Sequence, residues 1–209
     1  MPVLKEFQSH LDTKLVLWKI EETEHELIHD LDLTTSEKQK LKNRKTSNHR
    51  REFLASRASL QALGFSIKNL HFKKNGMPYL EPHKYCSLSH TQNYAAAVVS
   101  ENQVGIDVEV YRDKIVKIAS KFVHKNETFA LDKEHQIFFL TRLWTAKEAV
   151  YKAFGTNGIH FSTQIEVLPF TKEDQKGSGI LTHLEKEYLF TLHFQSINNG
   201  QLCMAVLNS

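Results

Sequence analysis

Strand-like and helix-like segments come in blocks along this chain, and this order limits the possible folds more than any other feature of the sequence. The blocks are a strand within residues 14–20, helices within 21–63, strands and turns within 70–111, helices within 116–154 and strands within 162–207. A parallel α/β sheet requires strands and helices that alternate one by one, so this order argues against it. It favours an α+β fold of two similar halves, residues 1–103 and residues 104–209.

Composition excludes several classes of protein. Hydrophobic residues make up 41% of the 209 residues and charged residues 24%, so the chain has enough apolar material for a core and is not expected to be disordered. No run of 18 apolar residues occurs, and residues 1–10 lack the apolar region of a secretory signal, so we expect no membrane partner. With only Cys86 and Cys203, the chain suits a reducing compartment, and we expect it to be cytoplasmic. The net charge of +3 is too small to indicate nucleic acid, but it is compatible with an anionic small molecule or an acidic protein.

The segment VGIDVEV, residues 104–110, has the pattern of a strand with one acidic side. Residues i and i+2 of a strand share a side, so Asp107 and Glu109 project together while Ile106 and Val108 point the other way. Two such carboxylates suit a hard divalent cation such as Mg²⁺. The alternative is an edge strand whose acidic side is merely solvated.

A second charged pair lies in the helical pattern of residues 134–154. Glu148 and Lys152 are one turn apart, roughly opposite an apolar stripe formed by Phe139, Leu143, Ala146, Val150 and Ala153. Taken alone, this is an ordinary surface ion pair. Trp144 argues against that interpretation, because it lies one turn before Glu148 on the same flank, where a solvated helix face rarely carries an indole.

Three further segments have weaker patterns. Ser89 and His90, followed by a threonine at the end of a predicted strand, combine hydroxyls and an imidazole that can bind phosphate, or they close a turn. His25 and His29 form an H-E-x-x-H pattern, which is typical of zinc peptidases, but acidic residues surround it and no third ligand follows nearby. The basic segment 38–51 is compatible with a non-enzymatic binding module, although it lacks the aromatic residues that stack on bases.

Together and in this order, these motifs resemble those of 4'-phosphopantetheinyl transferases of the surfactin-activating (Sfp) type. The family signature (V/I)-G-(I/V)-D stands at residues 104–107, and (F/W)-x-x-K-E-(A/S)-x-x-K stands at residues 144–152. Residues 89–91 match the family's S-H-(S/T), and residues 122–127 match its F-x-x-x-x-E. Residues 50–57 resemble its early arginine-bearing helix. One departure is Met77, which stands where the family usually has a lysine in the first hairpin.

The resemblance implies a 4'-phosphopantetheinyl transferase fold of two α+β halves related by a pseudo-twofold axis, with the active site in the cleft between them. It implies that a serine of an apo acyl or peptidyl carrier protein attacks the β-phosphate of coenzyme A, and that 3',5'-ADP leaves. Such an enzyme is expected to be a monomer. The carrier protein and its pathway, whether for fatty acid, polyketide or peptide synthesis, stay open.

The resemblance also implies roles for individual residues. Mg²⁺, for which Mn²⁺ can substitute, would be held by Asp107, Glu109 and Glu148. Either Glu148 or Glu127 would accept the serine proton, and Lys152 would steady the pyrophosphate. The expected ligands of the phosphates of coenzyme A are Arg50, Arg51, Ser89 and His90, with Lys73 or Lys74 replacing the lysine that is missing at Met77. A basic surface of Lys114, Lys117, Lys121 and Lys125 is expected to receive the carrier protein, because carrier proteins are generally acidic around their modified serine.

Overall fold

The structure, a computed structural model, describes residues 3–9, 13–131 and 134–208, with the side chains of 3–9 left out of the description. The chain divides into two compact units, Met1–Asn102 and Gln103–Ser209. Each unit combines one antiparallel sheet with helices, which confirms the predicted α+β class. The division lies one residue before the predicted boundary between residues 103 and 104. We still only predict that each half is a separate domain.

The first unit is a six-stranded antiparallel sheet with three helices. Its elements are β1 (Val3–Ser9), β2 (Thr13–Lys19), α1 (Glu24–His29), α2 (Thr35–Lys42), α3 (Ser47–Ala62), β3 (Leu70–Phe72), β4 (Pro78–Leu80), β5 (Lys84–Thr91) and β6 (Tyr94–Ser100). The strand order is β1-β2-β6-β5-β4-β3. Helix α3 buries Phe53, Leu54 and Leu60 in the core, where it packs against β5 and β6.

Threonine caps fix the helix starts in the first unit. Thr46 accepts a hydrogen bond from the backbone N–H of His49, so α3 begins at Ser47, three residues before the predicted start. The predicted turn between β3 and β4 is confirmed, because Gly76 has a φ of +85° there, a conformation that glycine adopts without strain.

The second unit is a five-stranded antiparallel sheet with one long helix. Its elements are β7 (Val104–Val110), α4 (Lys114–Ile118), α5 (Gln136–Phe154), α6 (Phe161–Gln164), β8 (Ile165–Val167), β9 (Lys176–His183), β10 (Lys186–Ile197) and β11 (Gly200–Leu207). The strand order is β7-β11-β10-β9-β8. Two expectations were wrong in detail. The predicted helix 116–123 is a short α4 followed by a 3₁₀ turn, and residues 162–164 belong to a helix rather than a strand.

Helix α5 lies directly on β7 because the facing residues are small. The predicted apolar stripe is buried, with Leu143, Ala146 and Val150 in the core. At Gly105, a Cβ atom would lie 2.0 Å from the backbone oxygen of Ala149. Glycine is therefore required at this position, and it brings the β7 and α5 backbones into direct contact.

No helix in the described parts of the chain is both long enough and apolar enough to cross a membrane.

Candidate active site

The two carboxylates of β7 lie on the side of the sheet that faces α5. Asp107 is 4% exposed and Glu109 is half-buried, while Ile106 and Val108 are buried on the opposite side of the strand. Asp107 and Glu109 share their side with Gly105, since the three residues follow at intervals of two along the strand. The close approach at Gly105 therefore sets the separation between these carboxylates and the helix.

Helix α5 brings Glu148 and Lys152 to the same place. The Nζ of Lys152 donates to Oδ1 of Asp107 at 2.7 Å and to the carbonyl oxygen of Ile106 at 3.1 Å. Burial and the negative charges of Asp107 and Glu109, opposed by Lys152, together raise the pKa of Glu148 to about 7. The structure thus brings together the predicted metal ligands Asp107, Glu109 and Glu148, which we call the acidic cluster.

The acidic cluster fits a divalent cation by its chemistry. Carboxylate oxygens are the ligands that Mg²⁺ prefers, and a cation would relieve the mutual repulsion that raises the pKa of Glu148. Within residues 3–9, 13–131 and 134–208, however, no group of three or more histidine, cysteine, aspartate or glutamate side chains is arranged to hold one ion. The ammonium of Lys152 is bound to Asp107 instead.

Glu127 lies in a different environment. Its side chain is 0% exposed, its carboxylate is 2.8 Å from the Nζ of Lys147, and it accepts backbone hydrogen bonds from His124 at 2.6 Å and Val167 at 2.7 Å. These contacts engage both carboxylate oxygens of Glu127. The structure therefore does not bring Glu127 into the acidic cluster.

Lys147 completes this buried ion pair, a role that was not predicted from the sequence. It is 0% exposed, and its Nζ donates to the carbonyl oxygens of Phe122 at 2.7 Å, Phe161 at 3.0 Å and Ile165 at 2.6 Å. Burial lowers the pKa of Lys147, and Glu127 opposes that shift. The position of Lys147 four residues after Leu143, on the buried side of the helix, was a readable signal for this role.

Two predicted phosphate ligands of the first unit, His90 and Arg50, contact acidic residues of that unit. Ser89 is buried near the end of β5, and Nδ1 of His90 lies 3.4 Å from a carboxylate oxygen of Glu52. Arg50 donates to a carboxylate oxygen of Glu24 at 2.7 Å. His90 and Arg50 therefore each belong to a local ionic contact.

The remaining predicted ligands of the first unit differ in exposure. Arg51 donates to the carbonyl oxygen of Glu22 at 2.8 Å. Lys73 and Lys74 are exposed in the turn between β3 and β4, whereas Met77 is buried. A phosphate therefore has access to both lysines, and the methionine that replaces the family's lysine contributes to the core.

The H-E-x-x-H pattern has a structural explanation. Glu26 forms a capping box with Thr23: the Thr23 backbone N–H donates to Glu26 at 2.8 Å, and the Glu26 N–H donates back to the Thr23 hydroxyl. His25 is exposed, and the side chain of His29 is 81% exposed beside Asp30. The zinc peptidase hypothesis is therefore unsupported, and the sequence T-x-x-E at residues 23–26 is typical of a capping box.

Comparisons with known proteins identify the family. Residues 103–207 match the profile of the 4'-phosphopantetheinyl transferase superfamily, and residues 37–100 match that of the 4'-phosphopantetheinyl transferase N-terminal domain. Because the superfamily profile covers half of the chain, the chain belongs to the 4'-phosphopantetheinyl transferase superfamily. The predicted resemblance is thereby confirmed.

Two relatives have the same description. The chain is 32% identical over 157 residues to the 4'-phosphopantetheinyl transferase gsp of Aneurinibacillus migulanus, which covers 73% of this chain and 64% of that protein. It is 26% identical over 111 residues to the 4'-phosphopantetheinyl transferase of Bacillus subtilis, which covers 50% of each. The matched regions thus span less than two thirds of the length of either relative.

Proposed function

We propose that this protein transfers 4'-phosphopantetheine from coenzyme A to a serine of an apo acyl or peptidyl carrier protein. The serine oxygen forms a new bond to the β-phosphorus, the bond from that phosphorus to the bridging oxygen breaks, and 3',5'-ADP leaves with the electron pair. The observation that carries this proposal is the convergence of Asp107, Glu109, Glu148 and Lys152 on β7 and α5. These residues lie within the superfamily match.

The acidic cluster is the proposed site of Mg²⁺, with Asp107, Glu109 and Glu148 as its protein ligands. Mg²⁺ would neutralise charge on the pyrophosphate, which matters in phosphoryl transfer because that chemistry depends on positioning and charge stabilisation. Three carboxylates that repel one another without a cation support this assignment. Mn²⁺ offers the same charge and a similar preference for oxygen ligands.

We assign the role of proton acceptor to Glu148 rather than Glu127. Glu148 lies beside Asp107 and Lys152 in the acidic cluster, where the pyrophosphate is proposed to bind, so its carboxylate is placed to accept the serine proton. The carboxylate of Glu127 is instead held by Lys147 and two backbone N–H groups with no exposure to solvent. Glu127 therefore has the environment of a structural residue.

Lys152 and His90 are the proposed contacts for the phosphates of coenzyme A. Lys152 already donates to Asp107, and its ammonium would be shared with the pyrophosphate. His90 lies beside Glu52, with its Nδ1 3.4 Å from a carboxylate oxygen, and its imidazole is the proposed contact for a phosphate oxygen. Arg50, Arg51, Ser89, Lys73 and Lys74 stay proposed ligands of the other phosphate oxygens.

The carrier protein is the proposed macromolecular partner, at the basic surface of Lys114, Lys117, Lys121 and Lys125. All four lysines are exposed, on α4 and in the segment that follows it. Such a surface attracts an acidic partner and speeds its encounter with the enzyme. The monomeric state is proposed from the family resemblance alone.

One assay tests this function. The protein is incubated with coenzyme A, Mg²⁺ and an apo carrier protein, and the carrier is weighed by mass spectrometry. We expect the carrier to gain one phosphopantetheine, EDTA to prevent this, and Asp107→Ala to prevent it without unfolding the protein. Acyl and peptidyl carriers that all stay unmodified at saturating Mg²⁺ and coenzyme A would refute the proposal.

A further inference from the structure

A buried arginine on α5, Arg142, has no part in the reaction described above. It is 2% exposed. Its Nε donates to Oε1 of Gln201 at 3.0 Å, and its terminal nitrogens donate to the carbonyl oxygens of Thr171 at 2.8 Å and Asp174 at 3.2 Å and to the hydroxyl of Ser196 at 3.3 Å. Four acceptors from three segments thus hold one guanidinium.

Aromatic rings surround the same guanidinium. Its central carbon lies 4.5 Å from the ring centre of Phe138, 5.2 Å from that of Phe194 and 5.7 Å from that of Phe170. Burial lowers the pKa of Arg142, and nearby polar and acidic groups only partly offset this. A charged group that is desolvated in this way and held by directional hydrogen bonds has a single favourable position.

Gln201 connects Arg142 to the end of β7. It is fully buried, and its Nε2 donates to the hydroxyl of Tyr111 and to that of Ser196. Gln201 is also the residue of β11 directly opposite Glu109 in the sheet. Tyr111, immediately after β7, donates its backbone N–H to the carbonyl oxygen of Asn199 at 2.8 Å. Arg142, Gln201, Tyr111 and Ser196 form what we call the arginine network.

The two ends of the β7–α5 contact are held by different means. At one end, Gly105 admits the backbone of α5, and Lys152 binds Asp107. At the other end, the arginine network joins α5 to two neighbours of Glu109. Gln201 lies directly opposite Glu109 in the sheet, and Tyr111 follows it by two residues. Arg142 precedes Glu148 by six residues, about 9 Å along the helix at 1.5 Å per residue.

We propose that Arg142 is a positioning residue for the acidic cluster: through Gln201 and Tyr111 it holds the end of β7 that carries Glu109 against the helix that carries Glu148. This inference rests on the proposed function, because it assigns the acidic cluster to a divalent cation. The charges of Asp107 and Glu109 repel that of Glu148 in the absence of a cation, so a rigid frame is needed to keep the three side chains close to one another. Without that frame, the cation has to reorder the site as it binds, and its affinity falls.

Binding of Mn²⁺ alone, followed by electron paramagnetic resonance of the free ion, tests this without coenzyme A or turnover. We expect Arg142→Met and Gln201→Leu each to raise the Mn²⁺ dissociation constant about tenfold, which corresponds to roughly 1.4 kcal/mol. The double variant should be no worse than either single one, because both changes break the same connection. Tyr111→Phe, which removes only a hydroxyl, should raise the constant about two- to threefold. Arg142→Lys should lie between wild type and Arg142→Met.

The control separates positioning from general loss of stability. Phe190→Leu removes buried volume from β10 without touching the arginine network, so it should lower the melting temperature and leave Mn²⁺ affinity unchanged. Wild-type affinity in all the network variants, or a loss in Phe190→Leu as large as that in Arg142→Met, would overturn the inference and leave the proposed function standing. A wild-type protein that binds no Mn²⁺ would overturn this inference and the assignment of the acidic cluster to a divalent cation, while the transfer activity is decided by the carrier assay. If Arg142→Met does not fold, the Mn²⁺ dissociation constant of Tyr111→Phe decides whether the inference holds.

Discussion

Two carboxylate sites on neighbouring faces of α5 differ in how their charges are balanced. Lys147 and Glu148 are neighbours in the chain, yet Lys147 is fully buried in an ion pair with Glu127 while Glu148 faces two further carboxylates. In the buried ion pair, charges are matched and Glu127 also accepts two backbone N–H groups. In the acidic cluster, the charges of Asp107 and Glu109 add to the effect of burial on the pKa of Glu148, and Lys152 binds Asp107. The buried ion pair is matched within the fold, whereas the acidic cluster is the proposed site of an added cation.

The largest effect is expected from breaking the buried ion pair. Lys147→Met leaves the Glu127 carboxylate buried beside an apolar side chain, which should lower the free energy of unfolding by about 3–5 kcal/mol. Chemical denaturation followed by circular dichroism measures this. The double variant Lys147→Met with Glu127→Gln should recover part of the loss, since a neutral amide can still accept a backbone N–H.

A matched lysine on the same helix provides the control. Lys152→Met also removes an ammonium from α5, but its side chain is 27% exposed and its partner Asp107 lies in the acidic cluster. We expect a loss of stability well below that of Lys147→Met, together with a loss of transfer activity. Equal destabilisation by the two variants would mean that the two sites do not differ as described.

A smaller change in stability is expected where β7 meets α5. Gly105→Ala places a Cβ atom 2.0 Å from the carbonyl oxygen of Ala149, so the strand and helix must separate. Overpacking of this kind costs about 1–3 kcal/mol. It should open the acidic cluster and leave the buried ion pair intact. Hydrogen exchange tests the buried ion pair, because the Val167 N–H that donates to Glu127 should stay protected. The Mn²⁺ titration tests the acidic cluster, because Mn²⁺ binding should be lost.

Gly179→Ala is the corresponding control in the same sheet. Its Cβ atom would meet the Val150 side chain at 3.3 Å, and a side chain can yield where a backbone cannot. This variant should keep its Mn²⁺ affinity. A Gly105→Ala protein that binds Mn²⁺ as tightly as Gly179→Ala would show that the close approach does not set the geometry of the acidic cluster.

A third prediction concerns how much the acidic cluster lowers the free energy of unfolding of the metal-free protein. The folded state raises the pKa of Glu148 from 4.5 to about 7, so it disfavours the charged carboxylate. The resulting penalty is absent below pH 4.5, grows as the pH rises through about 7, and is complete above it. In EDTA at pH 8, Glu148→Gln should therefore be more stable than wild type by about 1–3 kcal/mol, since one pKa unit corresponds to about 1.36 kcal/mol.

Urea denaturation at pH 5 and pH 8 measures this difference. The two proteins should have nearly equal stability at pH 5 and should diverge at pH 8, and saturating Mg²⁺ should reduce the gap. A glutamine variant that is less stable than wild type at pH 8 without metal would contradict the electrostatic description of the acidic cluster.

The acidic cluster was largely predictable because strand and helix periodicity fix which residues share a side. The strand repeat of two places Asp107 and Glu109 on one side of β7. The helix repeat places Glu148 and Lys152, four residues apart, on one side of α5. That the strand and helix meet was implied by the family resemblance, and the physical reason, the contact of Gly105 with the α5 backbone, became visible only in the fold.

The sequence did not predict the buried ion pair or the arginine network, because both depend on contacts between distant segments. Lys147 and Arg142 look like solvated charges in the sequence, and their acceptors come from segments that the chain brings together only on folding. Both lie on α5 near its apolar stripe, so helical periodicity alone indicated that they are buried. The identity of their partners depended on tertiary packing, which periodicity does not encode.

The central claim, that the acidic cluster performs the chemistry while Glu127 supports the fold, is tested most directly by comparing Glu148→Gln with Glu127→Gln. The measurement is the rate of carrier modification per folded protein, at a temperature well below both melting transitions. We predict that Glu148→Gln lowers the rate by about 10²–10⁴-fold, the range for loss of a general base, without lowering the melting temperature. Glu127→Gln should lower the melting temperature and keep the rate within about tenfold of wild type, because it touches no reacting atom. A Glu127→Gln protein that is folded but inactive, beside an active Glu148→Gln, would contradict the account.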